Sequence, residues 1–487
     1  MTPTVIPVLV IGSGFGGATA AARLVDAGVE VTLLERGPWR ASDAVRDAAL
    51  DDTAPFPHGR HFFTHLLRNV SMPFALARRW RFHRDGLFDL HLDGGLSVVC
   101  SSGVGGGSHV YSAMNVQPSA DYWNNHHATL DASAMTPHYN WILTRMGSRR
   151  ISEANVSVPN AIVDDAQRPD WMQVDTDQQP AMGFRFEKER FANNSFFGSR
   201  DNSKVGLDEL LLLPRLGKGL TVKARHEVLD IHRGTHHYRV TVKDHQHNRI
   251  DVLLAEKVIL AAGTLNTLKL LFTSRERGGL HGMPALGRGI GGNGDVPAYW
   301  PCNEKGRDFS RGTPCHGRFA LPDDDTNLTR YGLNGTDQIP LPGLLRRRLK
   351  RDLVLVGMGA DNATGIARWR SGTLRIEYRQ SDNPVLEKIY RAFDRIGELS
   401  GIRVWFLRRF PLTVHPFGGA RLGDDPQHSV VNGNGEVHDN PGLFIADASA
   451  LPAAPGVPPS MTIAAWAGHL AMSLVSAKGE KKHVAFR

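Results

Sequence analysis

The chain has 487 residues, 41 % of them apolar and 22 % charged, with three cysteines and a net charge of +8. That length points to two domains or one large interleaved α/β body, and the composition is that of a globular chain. No apolar run reaches about 18 residues and no nucleic-acid motif occurs, so neither a membrane-spanning helix nor nucleic-acid binding is expected.

Cys100, Cys302 and Cys315 form no C-x-x-C pair and cannot build a disulfide framework, although a single Cys302–Cys315 bridge stays open. Unlinked thiols suit a reducing, cytoplasmic compartment. No metal site is expected. The N-terminal MTPTVIPVLVIGSG has no basic region or cleavage site and reads as structure, not as a signal peptide. Charge is spread except for LLRRRLKR (344–351) and the C-terminal KKHVAFR. Solvated loops are the simpler reading of these runs; peripheral contact with an anionic lipid surface is the sharper one.

Val5–Ile11 is a continuous apolar run, as a strand buried on both faces requires. Gly12-Ser13-Gly14-Phe15-Gly16-Gly17 follows in the spacing G-x-G-x-x-G. The alanine-rich stretch Ala18–Ala27 reads as a helix stopped at Gly28, and Val29–Leu34 as a second strand ending at Glu35. In such a unit the first glycine permits a tight turn, the second admits a pyrophosphate, and the last lets helix pack on strand. The helix N-terminus offers N–H groups to phosphates; Glu35 suits ribose hydroxyls and would repel a 2′-phosphate. A dinucleotide site is expected, but this unit alone does not choose between NAD and FAD.

A second glycine cluster, GGLSVVCSSGVGGGSHVYSAMNVQP (94–118), has apolar neighbours and reads as an ordered ligand-facing loop. Residues 216–244 alternate as a strand meander. Val258–Ala261 reads as a buried strand, followed by the small turn Ala262-Gly263-Thr264 and a helix. Strands over 353–359 and 372–378 and a helix over 383–398 are expected in a second domain. LTVHPFGGARLG (412–423) then carries His415, one of 22 histidines. Leu443–Ala446 is a last strand, with Asp447 at its carboxyl end, a proline-rich loop and a terminal helix behind it. Ligands of open parallel sheets lie at such strand ends, which puts Asp447 near a cofactor.

Five stretches together carry a resemblance: VIGSGFGG, SGVGGGSHVYSAMNVQP, VILAAGTLNTLKLL, GRGIGGNGD (287–295) and the long segment from HPFGGARLG to PPSMTIAAWA. With them the chain resembles the glucose–methanol–choline flavoprotein oxidoreductases, in their cholesterol-oxidase-like branch. The resemblance implies FAD, held by a Rossmann-like α/β domain, with an interleaved α+β substrate domain built on an antiparallel sheet. It implies boundaries of 1–42, 92–118, 204–299 and 436–487 for the FAD domain, and 43–91, 119–203 and 300–435 for the substrate domain. By position, Gly12, Ser13, Gly14, Phe15, Gly16 and Gly17 would hold the pyrophosphate and Glu35 the ribose. Gly105, Gly106, Gly107, Ser108 and Tyr111 would lie by the flavin, Val228 by the adenine, and Ala262 and Gly263 by the phosphates. Asp447, Ala448, Pro459 and Ser460 would reach the ribityl chain and ring. His415 falls on the family's active-site histidine, and an imidazole suits proton removal from a substrate hydroxyl near neutral pH.

The sequence departs from the family at Pro458, where Asn or a second His is usual. Proline has no side-chain polar group and no N–H. Asp361 is the candidate second catalytic group, with a turn-capping role as its alternative. The family's cysteine-rich stretch near 190–205 is absent. The aromatic, basic segment 56–88 reads either as a lid over the substrate cavity or as an ordinary packed helix. The expected activity is oxidation of a CH–OH group, on a bulky hydrophobic alcohol such as a sterol, with oxygen or another acceptor. The alternatives are a lyase or isomerase of the same fold using His415 as acid–base, and a nucleotide-binding module without catalysis.

Overall fold

The computed structural model describes residues 4–72, 78–93, 95–124, 126–150, 180–187, 196–319 and 327–484. Parts of the expected lid segment and of the expected substrate-domain stretch 119–203, with Gly94 and the last three residues, lie outside them.

The apolar run β1 (Val5–Ile11) is the middle of a parallel core. It pairs with β2 (Val31–Leu34) on one side and β6 (Arg249–Leu260) on the other, with Leu9 opposite Thr32 and Val258. Leu9 and Val10 are fully buried, which is why the strand alternates nothing. β3 (Leu220–Lys223) extends the sheet beyond β2, and β12 (Leu443–Ile445) pairs with the end of β6. The meander is β4 (His226–Arg233) and β5 (Tyr238–Asp244), antiparallel to the first half of β6. β6 is thus longer than the apolar run suggested. Its exposed half carries the meander and its buried half joins the parallel core.

Helix α1 (Phe15–Asp26) starts three residues earlier than its alanines do. Ala18, Ala20, Ala21 and Ala22 are fully buried, and these small side chains let α1 lie close against the terminal helix α4 (Ser460–Val484). Helix α2 (Thr264–Glu276) follows β6. The carboxyl ends of β1, β6 and β12 therefore converge with the starts of α1 and α2 and with Asp447 behind β12.

A second sheet is antiparallel, in the order β8 (Cys315–Arg318), β9 (Asn327–Gly332), β10 (Leu353–Met358), β7 (Val296–Trp300), β11 (Trp405–Phe406). Helix α3 (Pro384–Ser400) covers one face with Leu386, Ile389, Phe393 and Ile396, the spacing of a single helical stripe. A Cβ on Gly357 of β10 would strike Ile389, so the odd residues of β10 face α3. The even ones, Val354 and Val356, join an apolar cluster on the other face with Tyr331, Ala113, Met114, Met182 and Phe184. The expected strand over 372–378 lies elsewhere, as Thr373–Glu377 in a three-stranded sheet with Gly365–Arg370 and Arg288–Ile290. All three cysteines are free, so the Cys302–Cys315 bridge does not form. Burial pushes each thiol up to about 12. Among the described residues no helix is long and apolar enough to cross a membrane.

Candidate active site

The two glycine clusters lie on each other. Gly12 has φ +100°, and a Cβ there would sit 2.2 Å from the carbonyl oxygen of Ala261, so the turn out of β1 accepts only glycine. A Cβ on Gly106 would meet the Cα of Gly14 at 2.6 Å. Ser13 Oγ donates to Glu35 Oε2 at 2.7 Å and accepts from Gly105 N at 3.2 Å. The buried Glu35 carboxylate also accepts from the backbone of Ser13, Gly37 and Gly103. Glu35 thus ties both loops together, and any ribose hydroxyl would share it with these four donors.

Tyr111 meets Phe15 edge-on at 5.4 Å and donates to Val205 O, while Ser108 Oγ donates to Gly105 O and accepts from Leu207 N. Asp447 stands behind β12 as expected, but its carboxylate is taken up by Gly263 N (2.9 Å), Thr267 Oγ1 (2.5 Å) and both the amide and hydroxyl of Ser449. Burial raises its pKa while these four donors oppose the shift. It locks β12 to the start of α2. Val228 is buried in β4, and Pro459 directly precedes α4.

His415 lies on a segment threaded between others. Leu412–Thr413 pairs with Ser97–Val98, Phe417 bridges to Gly291, and Gly418 N donates to Ala448 O. Gly418 has φ +76° and its Cβ would lie 2.0 Å from Gly289 O, which fixes glycine beside the HP pair. The half-buried imidazole places Nδ1 3.0 Å from Asp295 Oδ1 and 2.9 Å from Oδ2. Asp295 closes the GRGIGGNGD stretch and was not among the expected site residues. Its position in a matching motif was the only signal, since 120 residues separate it from His415.

Asp361 has its carboxylate taken up by neighbouring donors. Its Oδ2 accepts from Gly292 N at 2.7 Å and from the Tyr378 hydroxyl at 3.0 Å, and its Oδ1 from Ala363 N at 3.3 Å. Burial raises its pKa against those donors. At Pro458 the loop is held instead by Asn293, which donates to Val457 O and accepts from Gly456 N. Asn293, Asp295 and the amide held by Asp361 all belong to one short segment, 292–295. Tyr331 of the apolar cluster lies within electrostatic range of the Asp295 charge.

Residues 374–467 match the family described as GMC oxidoreductase, and residues 10–72 a NAD(P)-binding Rossmann-like domain. A cholesterol oxidase of Mycobacterium tuberculosis is 27 % identical over 97 % of this chain and 91 % of its own length. The chain belongs to the GMC oxidoreductases. A cholesterol oxidase of Acinetobacter baumannii is 23 % identical over 96 % of this GMC oxidoreductase and 94 % of its own chain. In fold it is similar to the crystal structure of pyridoxine 4-oxidase from Mesorbium loti, with a TM-score of 0.59, 17 % identity and coverage of 96 % and 99 % of the two chains. This GMC oxidoreductase is an FAD enzyme acting on CH–OH donors.

Its residues fit that cofactor. A Cβ on Gly14 would meet nothing within 4 Å, so the position that caps α1 is an open cradle, and no side chain caps the helix there. A dinucleotide's phosphates suit such a bare helix start. Ser460 Oγ is buried at the start of α4 with no partner among the described residues, and a buried hydroxyl calls for one.

Proposed function

We propose that this enzyme oxidises a bulky hydrophobic alcohol, a sterol being the type of substrate, with His415 as the base that takes the hydroxyl proton. One observation carries the reading. Asp295 holds the imidazole, and its charge reaches Tyr331 of an apolar cluster that runs from Tyr111, beside the glycine loops, to Val354 and Val356 of the antiparallel sheet. A proton acceptor at the edge of an apolar wall suits a hydroxyl on a hydrocarbon skeleton.

The first-turn amides of α1, from Gly14 to Gly17, would hold the pyrophosphate, with Gly12 and Ser13 shaping the turn. Glu35 and Val228 would flank the adenosine, and Ala262 and Gly263 the phosphates. Gly105, Gly106, Gly107, Ser108 and Tyr111 would face the ring from one loop, and Ala448, Pro459 and Ser460 from the other, with Asp447 fixing that loop. Asp361 would fasten segment 292–295 and not touch substrate. When bound, FAD supplies the acceptor for the carbinol hydride. The protein orients the hydroxyl, excludes water with its apolar wall and holds the proton at His415 Nε2.

The rim of the site adds a partner. Trp405, Leu407, Phe410 and Val414 are more than half exposed on the stretch leading into His415. Arg403 and Arg409 stand beside them and make no ion pair among the described residues. This rim would rest on an anionic lipid surface, from which a sterol enters.

The deciding experiment is anaerobic. Purified protein should be yellow, and one member of a panel of sterols and long-chain alcohols should bleach the flavin. Turnover with the flavin oxidised throughout would overturn the reading.

A further inference from the structure

We propose that Asp295 is the positioning residue for His415, holding the ring from its Nδ1 side. The inference rests on the reading of His415 as the base.

The geometry is specific. A carboxylate only accepts, so the imidazole atom 3.0 Å from Asp295 Oδ1 carries the proton, and the neutral ring keeps its lone pair on Nε2. That is the tautomer a base at Nε2 needs. The carboxylate cannot drift. Its Oδ2 accepts from Thr413 Oγ1 at 2.7 Å and from Val414 N at 3.1 Å, and Thr413 Oγ1 in turn accepts from His415 N at 2.8 Å. Backbone, hydroxyl and carboxylate thus form one closed set around the ring.

The electrostatics point the same way. The Asp295 side chain is 3 % exposed. Among the described residues no Lys or Arg forms an ion pair with it; its ion-pair partner is His415. Its charge also reaches the hydroxyls of Tyr331 and Tyr378, neither of which is a cation. The Asp295 charge is therefore directed at the ring. When the substrate O–H bond breaks and the Nε2–H bond forms, a half-buried imidazolium appears, and Asp295 is the anion that balances it. The carbinol hydride leaves to FAD, the cofactor already assigned, and the proton later returns to solvent from Nε2.

The same segment also covers for Pro458. Asn293, fully buried, pins both sides of the peptide before Pro458, through Gly456 N at 2.8 Å and Val457 O at 3.0 Å. The final loop and the imidazole are therefore held in register by residues 293 and 295 of one segment.

The test is a double-mutant cycle on the holoenzyme, with the alcohol that bleaches the flavin as substrate. The variants are Asp295→Ala, Asp295→Asn, His415→Ala and each Asp295 variant combined with His415→Ala. For each, kcat, KM, FAD content and the thermal midpoint are measured. Asp295→Ala is expected to lower kcat about 10–100-fold, the usual scale for a residue that orients an active group, with KM within about threefold and FAD retained. Asp295→Asn keeps an acceptor for Nδ1–H and should recover part of that loss. In the His415→Ala background either Asp295 change should cost little more, because its target is gone. Full multiplication of the two losses would mean a purely structural aspartate and overturn the inference. So would an unchanged kcat in both Asp295 variants beside an impaired His415→Ala, an outcome that leaves His415 as the base. Wild-type turnover in His415→Ala would instead remove the base, and the inference with it. Should Asp295→Ala not fold, Asp295→Asn carries the same cycle.

Discussion

His415 and Asp361 were both read from sequence as catalytic candidates, and their hydrogen-bonded neighbours differ. His415 has one ring edge fixed by Asp295 and is otherwise part-exposed. Asp361 spends both oxygens on Gly292, Ala363 and Tyr378. The two variants should therefore behave differently. His415→Ala should lose at least about a hundredfold in kcat, the scale of a general base. Asp361→Asn retains an acceptor for the Gly292 amide; it should cost about 1–2 kcal/mol of stability and less than about tenfold in kcat. Equal losses in the two would make Asp361 a catalytic group after all. The sequence pointed to His415 through the resemblance of the long segment that contains it, not through its immediate neighbours. Asp295 was illegible as its partner, since nothing local says which of 49 acidic residues folds back onto the ring. Asp447 was legible in place but not in bonding, because its partners Gly263 and Thr267 sit on another helix start.

At the scale of elements, the parallel core was legible because a buried strand must be a continuous apolar run, and β1, the end of β6 and β12 all are. The meander's reach was not, because the exposed first half of β6 carries no such run. Nor was the buried charge network at the start of β4. There Glu227 accepts from His245 at 2.8 Å and lies 3.6 Å from Arg68, and Arg36 pairs with Asp89. Burial by itself would raise the Glu227 pKa, but the His245 hydrogen bond and the charges of Arg68, Arg36 and Arg79 hold it far below the usual carboxylate range. The sign follows. A carboxyl with a depressed folded pKa contributes stability above its unfolded pKa, and that contribution is lost as pH falls. Glu227→Gln should thus be less stable than wild type by about 1–3 kcal/mol at pH 7. The gap should narrow below about pH 4 as the wild-type carboxylate loses its advantage in the folded state. Urea titrations at pH 7 and in the acid range measure this. A gap that stays constant across that range would mean Glu227 acts by packing and not by charge.

For the whole molecule, the question is how the hydrophobic alcohol proposed above would reach His415. The sequence drew attention to the basic run 344–351 and to the aromatic segment 56–88, and both do present exposed apolar residues, Leu344 and Leu345 in one and Phe63, Trp80 and Phe82 in the other. The stretch it passed over is 403–414. Trp405, Leu407, Phe410 and Val414 are 54 %, 67 %, 61 % and 57 % exposed, and Val414 is bonded directly to His415. Arg403 lies 4.3 Å over the Trp405 ring, while Arg408 is already paired with Asp394. Aromatic side chains with cations beside them are the composition of a surface that rests in a lipid headgroup layer, where each ring is half wet and half buried. A net charge of +8 favours anionic lipid from a distance. Vesicles of phosphatidylcholine with added phosphatidylserine should therefore co-sediment the enzyme, and salt should weaken the association because the charges are exposed. Trp405→Ser combined with Phe410→Ser should reduce binding at least about tenfold, from the lost burial of two large rings. With substrate presented in detergent micelles the same double variant should keep its kcat, because neither ring touches the imidazole pair. Turnover of vesicle-borne substrate should fall in step with binding. Unchanged binding in the double variant would move the lipid contact to the 56–88 segment, and no binding by the wild type at low salt would remove it altogether.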